Sequence, residues 1–360
     1  VVLSRAGLLL FGASLIIAAI VLPLLERRAL KTGPLDRPGG RKNHDRPTPL
    51  TGGIAVLLSV AIPAMAGLFL ALRGGAMGDV LPAELADHLP GIRRRAPQLL
   101  AILLGSAVMM LLGHIDDRRG LSPWLRLLIQ AACAAGLVAV GLRATLYIES
   151  PALQIALTIL FVVFTTNAVN FIDNMNGLMS GVVLIGSLHL LGLAIATGQL
   201  FMAAILACLA GGLCAFLPRN FPRARVFLGD AGSTSLGFLL AALSIAFTFE
   251  AGAPSARPFL LPVAVLAVPL LDGAVVVCSR LLQGKHPFTA GHDHLSHRLV
   301  RAGFTPTRAV LALWATQFVA GLPVVLLGGV PIDVLLAIWG TAGVTALVLG
   351  WRYTVREASP

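Results

Sequence analysis

Apolar runs of about twenty residues alternate with short polar breaks along the whole 360-residue chain. A helix rising 1.5 Å per residue needs roughly 20 apolar residues to cross the hydrocarbon of a bilayer. Eleven stretches meet that need: 7–25, 52–72, 97–114, 122–141, 152–170, 178–197, 200–217, 232–250, 258–277, 308–328 and 331–351. The breaks at Gly198-Gln199 and at Gly328 to Pro331 are so short that either flanking pair could be a hairpin. No second compositional regime interrupts the pattern, which predicts an all-α integral membrane fold in a single polytopic domain over 1–360. The first run is too long for a secretory leader, lacks a small-residue cleavage pattern and closes on Arg27 and Arg28, so it is expected to stay as a helix.

Composition agrees. Apolar residues make up 57% of the chain and charged ones 12%, with a mean hydropathy of +0.88. Soluble domains carry about 25% charged residues, so a water-soluble globule is excluded. The net charge of +11 becomes informative once the cations are placed. With about 11 transmembrane helices and the N-terminus outside, the cytoplasmic segments hold 20 of the 27 Lys and Arg, as the positive-inside rule requires. Arg93-Arg94-Arg95 in an outer loop is the misfit. The basic residues flank membrane spans and are not gathered on a soluble module, which argues against a nucleic-acid partner and for lipid headgroups or substrate phosphates. Cys133, Cys208, Cys214 and Cys278 lie in or beside apolar helices and read as packing residues.

Charged groups near a membrane interior are costly and tend to mark a site. Asp116, Asp117, Asp173, Asp230, Asp272 and Asp293 come from distant segments, yet the topology returns all of them to the cytoplasmic helix ends. Four dense polar motifs accompany them. In Gly113-His114-Ile115-Asp116-Asp117-Arg118-Arg119, continuing to Arg126 and Gln130, the adjacent carboxylates imply a bound cation or a proton-accepting role; the plainer reading is an exposed helix end. In Asn167-Ala168-Val169-Asn170-Phe171-Ile172-Asp173-Asn174-Met175-Asn176-Gly177, Asn170 shares a helix face with both Asn167 and Asp173, offering acceptors to a metal and donors to a nucleotide. In Phe227-Leu228-Gly229-Asp230-Ala231-Gly232-Ser233, glycines precede a helix start that suits an anion, although Asp230 could simply cap the helix. In Gly284-Lys285-His286 through His292-Asp293-His294-Leu295-Ser296-His297-Arg298, the three histidines within the six residues from His292 to His297 suggest zinc at first sight, and a phosphate-binding cluster equally well. His189, alone in mid-helix, reads as a hydrogen-bonded core histidine, and Asp272, two turns before Arg280, as its structural partner.

These four motifs, in this order, resemble the polyprenyl-phosphate N-acetylhexosamine-1-phosphate transferase family, a relative of phospho-N-acetylmuramoyl-pentapeptide transferase. The likeness runs from about residue 36 to 301, and the segment from Asp36 through Lys42 and His44 to Gly52-Gly53 looks like the hexosamine branch. The resemblance implies that Asp116 and Asp117 handle the lipid phosphate, and that Asp230 with Asn170 holds Mg²⁺ (Mn²⁺ as a second option). It also implies that Asp173 borders the nucleotide, Phe227 stacks on uracil, and His292, His294 and His297 hold the diphosphate. Arg126, Asn167, Lys42 and His44 complete the expected substrate contacts. The chain departs from the family pattern at Asn174, Asn176, Gly291 and Ser296, and Arg126 stands where lysine is usual.

The expected reaction passes a sugar 1-phosphate from a UDP-sugar to undecaprenyl phosphate and releases UMP, at the cytoplasmic face of a bacterial inner membrane. The implied partners are those two substrates and the lipid bilayer; a homodimer is left open. N-acetylglucosamine is the expected sugar, and another UDP-N-acetylhexosamine or UDP-MurNAc-pentapeptide is the alternative donor. A secondary transporter is the rival from another class, and it would carry its ionisable residues near the bilayer midplane.

Overall fold

The computed structural model describes residues 2–37, 46–73, 89–144, 148–247, 262–286, 291 and 293–326. Lys42, His44, His292 and the apolar stretch 331–351 lie outside the described residues. Each of the other ten apolar stretches falls mainly on helix over its described residues. In chain order the described helices are α1 (Val2–Thr32), α2 (Gly52–Arg73), α3 (Leu89–Arg119), α4 (Pro123–Ala139), α5 (Pro151–Phe171), α6 (Leu178–Ala196), α7 (Leu200–Asn220), α8 (Gly229–Ile245), α9 (Ala267–Leu282), the short α10 (Leu295–Arg301), which lies on none of those stretches, and α11 (Pro306–Leu326). Among the described residues six helices are long and apolar enough to cross a membrane: α1, α2, α3, α5, α6 and α7. The chain is a multi-pass, all-α membrane protein. Among the described residues its strands are two-residue pieces, β1 (Leu35–Asp36) and β2 (Thr48–Pro49), paired antiparallel.

Helix starts follow local chemistry. Ser122 and Ser150 each accept the amide three residues on, from Leu125 and Leu153, and each is followed by a proline at the first helical position. Proline suits that position because its missing N–H would find no partner there.

Helix α8 organises the rest. All residues from Ala231 to Ser244 are buried, as expected of a helix apolar on every side. Helices α2, α3, α5 and α6 surround it. Hydrophobic burial gives little drive between helices in lipid, so close packing of small residues must bring them together. Gly53 of α2 meets Gly232 of α8 backbone to backbone, and a Cβ on Gly53 would overlap the Gly232 Cα. Gly113 of α3 lies as tightly against the backbone of Asp230. The Thr234 hydroxyl reinforces the α3 contact by donating to the Met109 carbonyl at 3.0 Å. On the far side of the bundle, Ser14 of α1 donates to the Cys208 carbonyl of α7 at 2.6 Å.

His189 departs from expectation. Neither ring nitrogen has a hydrogen-bond partner among the described residues. The ring packs instead 5.5 Å from that of Phe318, in space left by Gly321 of α11. It serves as a shape element between α6 and α11.

Gly53→Ala should lower the apparent melting temperature in detergent by several degrees, because overpacking a backbone contact costs about 1–3 kcal/mol. Gly136→Ala, where a Cβ meets nothing within 4 Å, should leave it unchanged or raise it slightly.

Candidate active site

One end of the bundle gathers the C-termini of α3, α5 and α7 and the N-termini of α6, α8 and α11 around a cavity of about 990 Å³. Seven of the expected site residues line it: Asp117, Asn170, Asp173, Phe227, Asp230, His294 and His297. They come from the ends of different helices and the loops between them, so the polar groups sit at a rim and not at mid-span.

The acidic side is built on the start of α8. Both carboxylate oxygens of Asp117 accept backbone amides there, from Asp230 at 3.1 Å and from Ala231 at 3.4 Å. These amides have no partner within their own helix, and a negative charge at the positive end of the dipole is favourable by about 0.3–2 kcal/mol. Gly229 turns the chain into the helix with φ +70°, and a Cβ there would stand 2.8 Å from the Asp117 carboxylate. The Asp230 side chain thus projects from a fixed backbone. Asn170 reaches it from α5, donating at 2.9 Å to the Asp230 carboxylate and at 2.7 Å to the Ser233 hydroxyl. With its N–H groups so engaged, the Asn170 amide carbonyl stays available to the cavity.

Phe227 is held through its backbone. Its amide donates to the Pro49 carbonyl at 2.9 Å, and its carbonyl accepts the Gly52 amide at 2.9 Å. The segment between β2 and α2 therefore works as a splint for the ring.

Three expected contacts are engaged elsewhere. The adjacent aspartates diverge, with no shared cation needed between them. Asp116 ion-pairs with Arg126 at 2.5 Å and accepts the Leu121 amide at 2.6 Å, and neither Asp116 nor Arg126 lines the cavity. Successive residues on a helix point about 100° apart, which separates the two carboxylates. Asn167 is likewise buried against α4, donating to Gln130 Oε1 at 2.6 Å and to the Val163 carbonyl at 2.8 Å. Lying one turn deeper than Asn170, it braces α5 on α4 and does not face the cavity.

The opposite wall is the histidine segment. His294 Nδ1 lies 2.8 Å from the buried Asp272 carboxylate, whose other oxygen accepts the Leu295 amide at 2.6 Å. Arg280, the partner expected for Asp272, pairs with Asp293 at 3.1 Å. The His297 ring lies 5.7 Å from that of His294. Ser296 donates at 2.7 Å to Asn174, whose own amide donates to the Phe171 carbonyl at 2.9 Å. Two departures from the family pattern therefore meet in one hydrogen bond that ties the histidine helix to the asparagine loop. Sequence reasoning also missed Asn220, which accepts the Gly177 amide at 2.8 Å and donates to the Val226 carbonyl at 3.0 Å, fixing the cavity floor.

Carboxylates dominate the electrostatics of this cavity. Burial first, and then the neighbouring Asp230 and Asp117 carboxylates, push the Asp173 carboxyl up to about 7. Such crowding favours a cation. Asp230 and Asn170 offer hard oxygen donors, as Mg²⁺ prefers. Among the described residues no three His, Cys, Asp or Glu side chains converge to hold a metal by themselves. The donor set therefore fits a cation that keeps waters and substrate oxygens in its shell, as Mg²⁺ does, better than a closed zinc cage.

Known proteins bear on the same residues. The family model "Glycosyl transferase family 4" matches residues 99–248, which span Asp116 to Asp230. A "Probable undecaprenyl-phosphate N-acetylglucosaminyl 1-phosphate transferase" of Bacillus subtilis (strain 168) is 28% identical over 327 residues, covering 88% of this chain and 84% of that protein. The "Undecaprenyl-phosphate alpha-N-acetylglucosaminyl 1-phosphate transferase" of Salmonella typhi is 28% identical over 316 residues, covering 84% and 78%. A "Decaprenyl-phosphate N-acetylglucosaminephosphotransferase" of Mycobacterium tuberculosis (strain ATCC 25618 / H37Rv) reaches 34% identity over 316 residues, 79% of this chain and 74% of that one. On likeness of that extent, spread over most of both chains, the protein belongs to the polyprenyl-phosphate N-acetylglucosamine-1-phosphate transferases of glycosyl transferase family 4.

Proposed function

We infer that the protein transfers N-acetylglucosamine 1-phosphate from UDP-N-acetylglucosamine to undecaprenyl phosphate and releases UMP. The observation that carries this reading is the cavity itself: Asp117, Asn170, Asp173 and Asp230 on one wall, and His294 and His297 on the other. We read this end of the bundle as the cytoplasmic face of a bacterial inner membrane, with the N-terminus outside and about eleven spans. Nucleotide sugars reach that face, and a lipid phosphate reaches the same level from within the bilayer. A transporter would need its ionisable groups near mid-membrane. Here they lie at helix ends.

In the reaction an oxygen of the lipid phosphate attacks the phosphorus that carries the sugar. The bond from that phosphorus to the bridging oxygen breaks, and the electron pair leaves with UMP. Two anions must meet, and unit charges 4 Å apart repel by about 4 kcal/mol at an effective dielectric of 20. Asp230 and Asn170 would hold Mg²⁺, which when bound neutralises diphosphate charge and the leaving group. Asp117 keeps Asp230 in place through the start of α8. Phe227, locked by its backbone, offers a ring for the uracil, a contact worth about 1–3 kcal/mol. His294 and His297 face the diphosphate from the other wall, where protonated rings would donate to its oxygens. Asp173, at the cavity edge beyond α5, stands where it could take or hold a proton near neutral pH.

Purified protein should release UMP from UDP-N-acetylglucosamine only with undecaprenyl phosphate and Mg²⁺ both present, and Asp230→Ala should cut the rate by on the order of 100-fold or more. Full activity of that variant at saturating Mg²⁺ would remove Asp230 from the metal site. A panel of UDP-sugars should rank UDP-N-acetylglucosamine first; preference for UDP-MurNAc-pentapeptide would overturn the donor assignment.

Because the Asp173 carboxyl keeps its proton up to about 7, proton and cation compete for the acidic wall below neutrality, and the competition fades above it. The half-saturating Mg²⁺ concentration should therefore fall as pH rises from about 6 to about 8. Asp173→Asn should flatten that dependence; an unchanged slope in the variant would assign the titration elsewhere.

A further inference from the structure

The histidine wall rests on a group that the transferase chemistry described above does not use. Asp272 lies in the middle of α9 and is 2% exposed. A buried carboxylate is costly unless its oxygens are satisfied. One oxygen accepts the Leu295 amide at 2.6 Å, and the other lies 2.8 Å from His294 Nδ1. A carboxylate is an acceptor only, so the proton of that contact sits on Nδ1. Which ring nitrogen of a histidine carries the proton is set by the hydrogen bond that the other one makes. His294 lines the cavity, and its ring meets Phe171 edge-on with centroids 6.4 Å apart. With Nδ1 anchored to Asp272 and Phe171 alongside, Nε2 is the nitrogen left to face a ligand.

We propose that Asp272 is a positioning residue of the active site: it holds Nδ1–H and the ring orientation of His294, so that Nε2 faces the cavity and, once it takes a proton, donates to a phosphate oxygen of the nucleotide sugar with Asp272 as the counter-charge of the ring. The same carboxylate anchors the start of α10 through Leu295, so one buried charge sets both the ring and the backbone that carries it. This assignment rests on the transferase reading for its consequence, though not for its geometry.

Asp272→Asn separates the two tasks. The amide oxygen can still accept the Leu295 N–H, which preserves the fold. Its NH₂ then faces Nδ1, which must become an acceptor, and the proton moves to Nε2. In ¹⁵N-histidine spectra, with His294 identified by its loss in His294→Gln, the wild-type protein should show the Nδ1–H form and Asp272→Asn the Nε2–H form. An unchanged tautomer in Asp272→Asn would overturn the proposal. In UMP-release assays, Asp272→Asn should lower kcat/KM for UDP-N-acetylglucosamine by about 10- to 100-fold. In a His294→Gln background it should change kcat/KM by less than about twofold, since coupled residues are non-additive. Equal losses in both backgrounds would overturn the proposal by assigning Asp272 to the fold. A wild-type protein that releases no UMP would fail the transferase reading, while the tautomer experiment would still decide the role of Asp272.

Discussion

The contact between the Asp117 carboxylate and the first amides of α8 governs the acidic wall. Helix α8 is sheathed by four other helices, and Gly229 and Ala231 at its start are buried. Free amides at such a buried terminus would cost about 1–3 kcal/mol each. Asp117 accepts two of them, and in doing so fixes the residue whose side chain enters the cavity. The close approach at Gly113 and at Gly53 with Gly232 leaves α8 little freedom to shift, so backbone packing and the capping carboxylate act on the same few residues. Anchoring and chemistry are thus joined: the acid next to Asp230 in space is held by the protein, and the acid next to Asp117 in sequence is neutralised by Arg126.

The two walls of the cavity are built alike. On the acidic wall, a carboxylate on α3 ties down the backbone that carries Asp230. On the histidine wall, a carboxylate on α9 ties down the backbone and ring of His294. Asp117 does so by accepting two backbone amides, and Asp272 by accepting one amide and the His294 ring. The bridge from Ser296 to Asn174 links the histidine segment to the end of α5, on which Asn170 sits. A substrate entering between the walls would meet groups already oriented, so less of its binding energy is lost to ordering them.

Much of the fold was legible because bilayer thickness imposes a length on apolar runs, and the described residues of the first ten runs fall mainly on helix. The short buried α8 was legible for the same reason, although lipid does not reach it. The carboxylates and amides of the site were visible as motif residues, since polar groups at helix ends stand out against so apolar a chain. Their partners were not. Adjacency of Asp116 and Asp117 suggested a shared cation, but helix geometry points them to different neighbours. The spacing of Asn167 and Asn170 suggested a common role, but Asn167 goes to Gln130 on α4 and Asn170 to Asp230 on α8. Asp272 was matched to the nearest arginine in sequence, whereas its partner lies 22 residues on. Contacts across the fold are set by which helices pack, and one sequence does not state that. The segment from Pro49 to Gly53 carried a recognisable pattern, yet its role as the backbone support of Phe227 emerged only in three dimensions.

Asp117 acts through the start of α8. Hydrogen–deuterium exchange over residues 229–234, in wild type and in Asp117→Ala, tests it most directly. Exchange at Asp230 and Ala231 should rise markedly in the variant, together with a weaker apparent affinity for Mg²⁺. Unchanged protection there, with activity nonetheless lost, would contradict it and assign Asp117 to the substrate alone.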